Sequence, residues 1–170
     1  ADANEAVVAS KIAFEHKNRP SLVLLTRQGL PVLDRNIYPG PCSIEKGGYI
    51  MCDHANPDVL IIATGSEVWI ALEVKEMLKD LNIKVVNLAC WELFEDQDLS
   101  YKENVLKCSD STLMVSVEAG ITDGWQKYTG RGGLNIGINT FGESAPGKVV
   151  ADHFGLNPEN VANKIKDKIK

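Results

Sequence analysis

The stretch DVLIIATGSEVWIALEVKEMLKDLNIKVVNLA, residues 58–89, decides the fold. DVLIIAT, 58–64, is an almost unbroken aliphatic run and reads as a strand covered on both faces. SEVWIALEVKEMLKDL, 66–81, reads as an amphipathic helix whose charged side carries Lys75, Glu76 and Lys79. IKVVNLA, 83–89, is a second buried strand. Strand, helix and strand joined by short turns are the unit from which parallel sheets are built.

Working outward, the alternation persists. GYIMCD (48–53), TLMVSVE (112–118) and NIGINTF (135–141) read as further strands. DQDLSYKENVLK (96–107), TDGWQKYTG (122–130), APGKVVADHFG (145–155) and NPENVANKIKDKIK (157–170) read as helices, with Pro158 suited to a first turn. The expected fold is α/β: a three-layer α/β/α domain with a mainly parallel, twisted sheet of about five strands. Toward the N-terminus, NEAVVASKIAFEHK (4–17) reads as a helix with Val8 and Ile12 on one stripe. SLVLLTRQGLP (21–31) reads as a buried strand ending in Thr26, Arg27 and Gln28. The following stretch, 29–47, holds three prolines and three glycines and reads as a linker. Residues 1–40 are thus expected to be the end of an upstream α/β domain plus linker, and 47–170 a domain of their own.

Composition narrows the function. A net charge of −5 disfavours nucleic acid, which asks for a basic stripe. No apolar run reaches the roughly 20 residues that span a bilayer, so no membrane partner is expected. Cys42, Cys52, Cys90 and Cys108 form no CxxC pair, and His16, His54 and His153 are scattered. That argues against a disulfide scaffold or a zinc site and for reduced thiols in a cytoplasmic protein. The N-terminus shows no basic-then-apolar leader; since it does not begin with Met, it says nothing firm about targeting.

Four stretches could carry chemistry. In IIATGSEV, Thr64 and Glu67 fit a capping box, and the free amides of a helix start could hold a small anion. The candidate anion site is Thr64, Gly65 and Ser66, joined by Glu118 and Gly120 of VSVEAG at the end of the neighbouring strand. The bland reading is a helix cap, with Glu118 orienting the next helix. TGRGGLNIG breaks the dinucleotide fingerprint at Asn135 and follows a helix, so it reads as a glycine-rich turn. FGESAPG lacks the last glycine of a nucleophile elbow; Ser144 as N-cap and Pro146 in the first turn explain it. Trp69, Trp91 and Trp125 read as packing residues. LTRQG delivers Arg27 to a strand end, where its rigid fork suits a phosphate, a carboxylate or a structural ion pair.

Taken together in order and spacing, LTRQGLP, KGGYI (46–50), PDVLIIATGSEV (57–68), VSVEAGITDGWQKY (115–128), TFGESAPG (140–147) and FGLNPENVANKIK resemble the C-terminal third of transketolase, across essentially all 170 residues. The resemblance implies an enzyme that moves a two-carbon ketol unit from a ketose phosphate to an aldose phosphate in the pentose phosphate pathway. It implies thiamine diphosphate and a divalent metal, magnesium or calcium, in the full-length homodimer, with neither bound to this piece. Catalytic and metal-binding residues would lie upstream of Ala1, and the isolated chain would be inactive. Arg27 matches the family arginine that binds the substrate phosphate; Gln28 matches its neighbour and receives no role. The family often has serine where this chain has Thr26. Related thiamine enzymes stay open as alternatives: 1-deoxyxylulose 5-phosphate synthase, dihydroxyacetone synthase, a 2-oxoacid dehydrogenase β subunit. So does a module binding a small regulatory anion.

Overall fold

β2 (Val59–Ala63) is the middle strand of a five-stranded sheet, and all its residues are buried. This computed structural model describes residues 1–169. The sheet order is β1-β3-β2-β4-β5. β2 runs parallel to β3 (Ile83–Leu88) on one side and to β4 (Leu113–Val117) on the other, and β4 parallel to β5 (Leu134–Ile136). β1 (Gly48–Cys52) closes the far edge antiparallel to β3.

The alternation of side chains along each strand divides the core between two faces. Val59, Ile61 and Ala63 point to the face covered by α2 (Glu67–Met77) and α7 (Pro158–Ile169). Leu60 and Ile62 meet Phe94, Val105 and Tyr128 from the short helices α3 (Trp91–Glu95), α4 (Leu99–Val105) and α5 (Gln126–Thr129). Two further α-helices, α1 (Ala3–Glu15) and α6 (Gly147–Phe154), and a short 3-10 helix, Pro41–Lys46, complete the described elements. The expected three-layer α/β/α fold with five strands is the one found.

Two charged groups are settled by local geometry. Lys84 sits on β3 with only 2% of its surface exposed. Its Nζ donates to the carbonyls of Asn104 (3.4 Å) and Lys107 (3.2 Å), at the end of α4 where the negative pole of the helix dipole lies. Lys127 at 2.9 Å, the Tyr128 hydroxyl at 2.9 Å and Lys102 at 3.3 Å hold the Glu95 carboxyl down at about 2, against the opposing effect of burial.

Several expectations are corrected. Residues 21–26 form no strand: Leu22, Leu24 and Leu25 stand 83%, 83% and 67% exposed. A strand exists only through its ladder partners, and this segment meets none among the described residues. The helix expected over 66–81 ends at Met77, because Leu78 turns out of helical geometry. The one expected over 96–107 starts at Leu99, where the Asp98 carboxylate accepts from the Tyr101 amide at 2.7 Å. α3 was not anticipated. The strand expected over 135–141 shrinks to Leu134–Ile136, since Gly137 and Ile138 turn toward Gly120; the Ile138 amide donates to its carbonyl at 2.7 Å. Ser144 caps nothing, as Pro146 is the N-cap of α6 and no side chain closes it.

Candidate functional site

Arg27 lies in the exposed stretch after α1. The Thr26 hydroxyl donates to the Gln28 side-chain carbonyl, and the Gln28 amide donates back to Thr26 Oγ1 at 3.4 Å. This small closed turn leaves Arg27 between its two partners, with no hydrogen bond or ion pair of its own among the described residues. A guanidinium without a partner retains five donors for a ligand. The Gln28 side chain lies on Gly147 at the start of α6: a Cβ added to that glycine would stand 1.8 Å from Gln28 Nε2. LTRQG and TFGESAPG, far apart in sequence, therefore meet.

The second candidate, Thr64, Gly65 and Ser66 with Glu118 and Gly120, lies at the carboxyl ends of β2 and β4. These neighbours lead into helices on opposite faces, so it is the switch point where open sheets of this kind bind ligands. The groups there serve one another instead. The capping box does not form: Ser66 already has helical backbone angles, and Glu67 accepts from the Ser66 hydroxyl at 2.7 Å and from the Ala119 amide. Glu118 accepts from the indole of Trp125 at 2.8 Å, which orients the segment leading into α5. Two carboxylates face each other where an anion would need free amides, so the chemistry there does not suit one. Burial first, and Glu118 in addition, push the Glu67 carboxyl above its ordinary range. An acid raised on folding stabilises the fold fully only below its unfolded value and loses that contribution as pH rises. Glu67→Gln keeps the acceptor and removes the charge. It is expected to raise the melting temperature at pH 7–8 while changing it little near pH 4; equal shifts at both pH values would refute this.

No three His, Cys, Asp or Glu side chains among the described residues come together to hold an ion. The four cysteines are free thiols, and the His153 ring lies edge-on against Phe154. An open groove of about 940 Å³ past Ser109, Thr112, Gly133 and Lys168 lies at the opposite, amino-terminal edge of the sheet. TGRGG borders it as a turn, with Gly130 at φ +68°. No described helix is long and apolar enough to cross a membrane.

Sequence reasoning missed one assembly. Asp2 at the N-cap of α1, Glu5 in its first turn, Arg35 of the linker, Tyr49 of β1 and Asn87 of β3 form a buried polar network. The legible signal was Asn87, a lone amide amid the aliphatics of β3, since buried amides need partners.

The fold and this arm define the class: a mixed-sheet α/β domain bearing an N-terminal helix and linker that present an unpaired arginine. The chain belongs to the transketolase family, with residues 47–157 matching the transketolase-like C-terminal domain. It is 50% identical to the transketolase of Aquifex aeolicus over 99% of this chain and 25% of that protein. It is 38% identical to the transketolase of Bacillus subtilis over 98% of this chain and 25% of that one. The crystal structure of Pichia stipitis transketolase in complex with sedoheptulose 7-phosphate covers 99% of this chain and 24% of its own, at 34% identity and a TM-score of 0.89. The chain thus spans about a quarter of the length of the relatives it matches. These relatives are named as transketolases, and none of them supports the related thiamine enzymes or an anion module.

Proposed function

We propose that this chain acts as the carboxy-terminal part of a transketolase subunit and that Arg27 binds the phosphate of the sugar substrate. The observation that carries this is an exposed, unpaired guanidinium held outward between Thr26 and Gln28, in a family whose Pichia stipitis member is solved with a sugar phosphate. In this reading residues 1–40 close the middle domain, and Leu22, Leu24 and Leu25 pack against the rest of it. The subunit pairs as a homodimer in the cytoplasm. Thiamine diphosphate, with magnesium or calcium, supplies the carbanion chemistry from residues outside this chain. Arg27 contributes orientation: its fork grips the phosphate and fixes the distance from that end of the sugar to the reacting carbonyl.

In the full-length enzyme, Arg27→Ala is expected to raise KM for phosphorylated donors by roughly ten- to a hundredfold, the range for a lost charge-assisted contact. Turnover of unphosphorylated hydroxypyruvate should stay within about twofold, because it offers no phosphate to the missing group. Equal losses for both donors would reject the assignment. The 170-residue chain alone is expected to show no ketol transfer; measurable turnover would reject that.

A further inference from the structure

Helices usually dock by an apolar stripe, yet the one fully buried side chain of α1 is Glu5, a charged residue. What ties the start of this helix to the rest of the fold is polar. The two oxygens of Asp2 divide the work. Oδ1 accepts from the Glu5 amide at 3.0 Å and caps α1. Oδ2 accepts from the Leu33 amide at 3.0 Å and from the Arg35 guanidinium at 2.7 Å. The chain therefore passes this point twice, once on entering α1 and once on the linker that leads into β1. Leu33, 2% exposed, enters the core beside it.

Glu5 fastens the same turn to the sheet. It accepts from the Tyr49 hydroxyl of β1 and from Asn87 Nδ2 of β3 at 3.0 Å, and Arg35 lies 3.7 Å from it. From α2, the Trp69 indole donates to the Ala1 carbonyl at 3.2 Å, which holds the backbone just before the helix. Asp2, at 5%, is the most exposed of Asp2, Glu5, Tyr49 and Asn87. Apolar contacts tolerate sliding. Buried hydrogen bonds do not, because a shifted register leaves a desolvated charge or amide unpaired.

We infer that this network is the lock between two domains of the subunit: with it the carboxy-terminal domain grips the entrance of the middle domain's last helix and holds that helix in one docking register. The inference rests on the reading that residues 1–40 close the middle domain. The surface fits a partner of defined chemistry, an acidic helix start, which it meets with a tyrosine hydroxyl, a side-chain amide and a guanidinium. Both halves of the contact lie within this chain, so the lock is complete without any group from the remainder of the subunit.

Hydrogen exchange read by mass spectrometry on the full-length enzyme tests the lock from both sides. Tyr49→Phe removes one hydroxyl from the sheet side at nearly constant volume. Asp2→Asn removes one charge from the helix side and keeps a capping side chain. Each is expected to speed exchange roughly ten- to a hundredfold on the opposite side as well as its own, in peptides over the first turn of α1 and in those over 33–35 and β1. Exchange in β4, which supplies no member of the network, should be unchanged. Changes confined to the element that carries the substitution, or spread equally into β4, would overturn the lock, as would wild-type exchange in both variants. Phe14→Ser, in the last turn of α1 and 86% exposed in this chain, tests the domain reading separately. If residues 1–40 close the middle domain, this variant loosens the sequence upstream of Ala1 and leaves the amides of 33–35 protected. No change upstream of Ala1 rejects the domain reading and the interdomain lock with it. A change there beside wild-type exchange in the two network variants rejects the lock alone. Should Asp2→Asn fail to fold, Tyr49→Phe decides by its effect on the first turn of α1.

Discussion

Gly47→Ala is expected to lower the unfolding free energy by about 3–5 kcal/mol, combining a strained backbone with overpacking. Gly47 has φ +78°, outside the range that side chains accept. A Cβ there would stand 2.3 Å from the Phe94 nitrogen, 2.4 Å from the Cys90 oxygen and 2.8 Å from the Leu93 carbonyl carbon. All three are backbone atoms of α3 and its N-cap and cannot swing aside. The close approach is needed because the Gly47 carbonyl accepts from the Cys90 amide at 2.9 Å, which joins the end of the linker to the turn after β3. Gly132→Ala is the control: nothing lies within 4 Å of its added Cβ, so the change should stay within about 0.5 kcal/mol. Urea midpoints of the two variants, at unchanged slope, provide the comparison. Coincident midpoints would refute the account.

Trp125→Ala should cost a similar amount, about 3–5 kcal/mol. The side chain is 1% exposed and packs edge-to-face on Trp91, ring centres 4.9 Å apart, and against Tyr128 at 6.0 Å. Its removal also takes the indole donor from Glu118, leaving a half-buried carboxylate without its 2.8 Å partner. Trp125→Phe separates the two contributions, since it keeps most of the ring contact and loses only the N–H; it should cost about 1–3 kcal/mol, the range for a buried acceptor left unpaired. Calorimetric unfolding of both variants reads the difference. A loss below about 1 kcal/mol for the alanine variant would mean that the aromatic cluster reorganises and is not a fixed part of the core.

The central strands were legible because their signal is local. The aliphatic runs of β2, β3 and β4 announce burial whatever surrounds them, and the helix between β2 and β3 then follows from its spacing. Leu22–Leu25 carries the same aliphatic signal and forms no strand here, because pairing depends on a neighbour that no property of those four residues supplies. β5 was overextended for a similar reason: the turn at Gly137 is set by Gly120, far away in sequence. Arg27 could be singled out by chemistry, but its phosphate role came only with the family resemblance, since a guanidinium at a strand end serves an ion pair as well as a ligand. The Asp2–Glu5–Arg35 junction was hardest to foresee. Its members come from a helix, a linker and two strands, and nothing in NEAVVASKIAFEHK says that the residue buried most deeply on that helix is a glutamate.

The place of β1 at the sheet edge bears on the order in which a ribosome makes this chain. β1 pairs only with β3, which emerges some 30 residues later, and Tyr49 and Asn87 meet Glu5 only once those two strands have paired. The contacts of Glu5 with Tyr49 and Asn87 therefore wait until Asn87 has left the tunnel. A nascent chain arrested before that point should expose the linker around Leu33 and Arg35 to protease, and one arrested well after it should protect it.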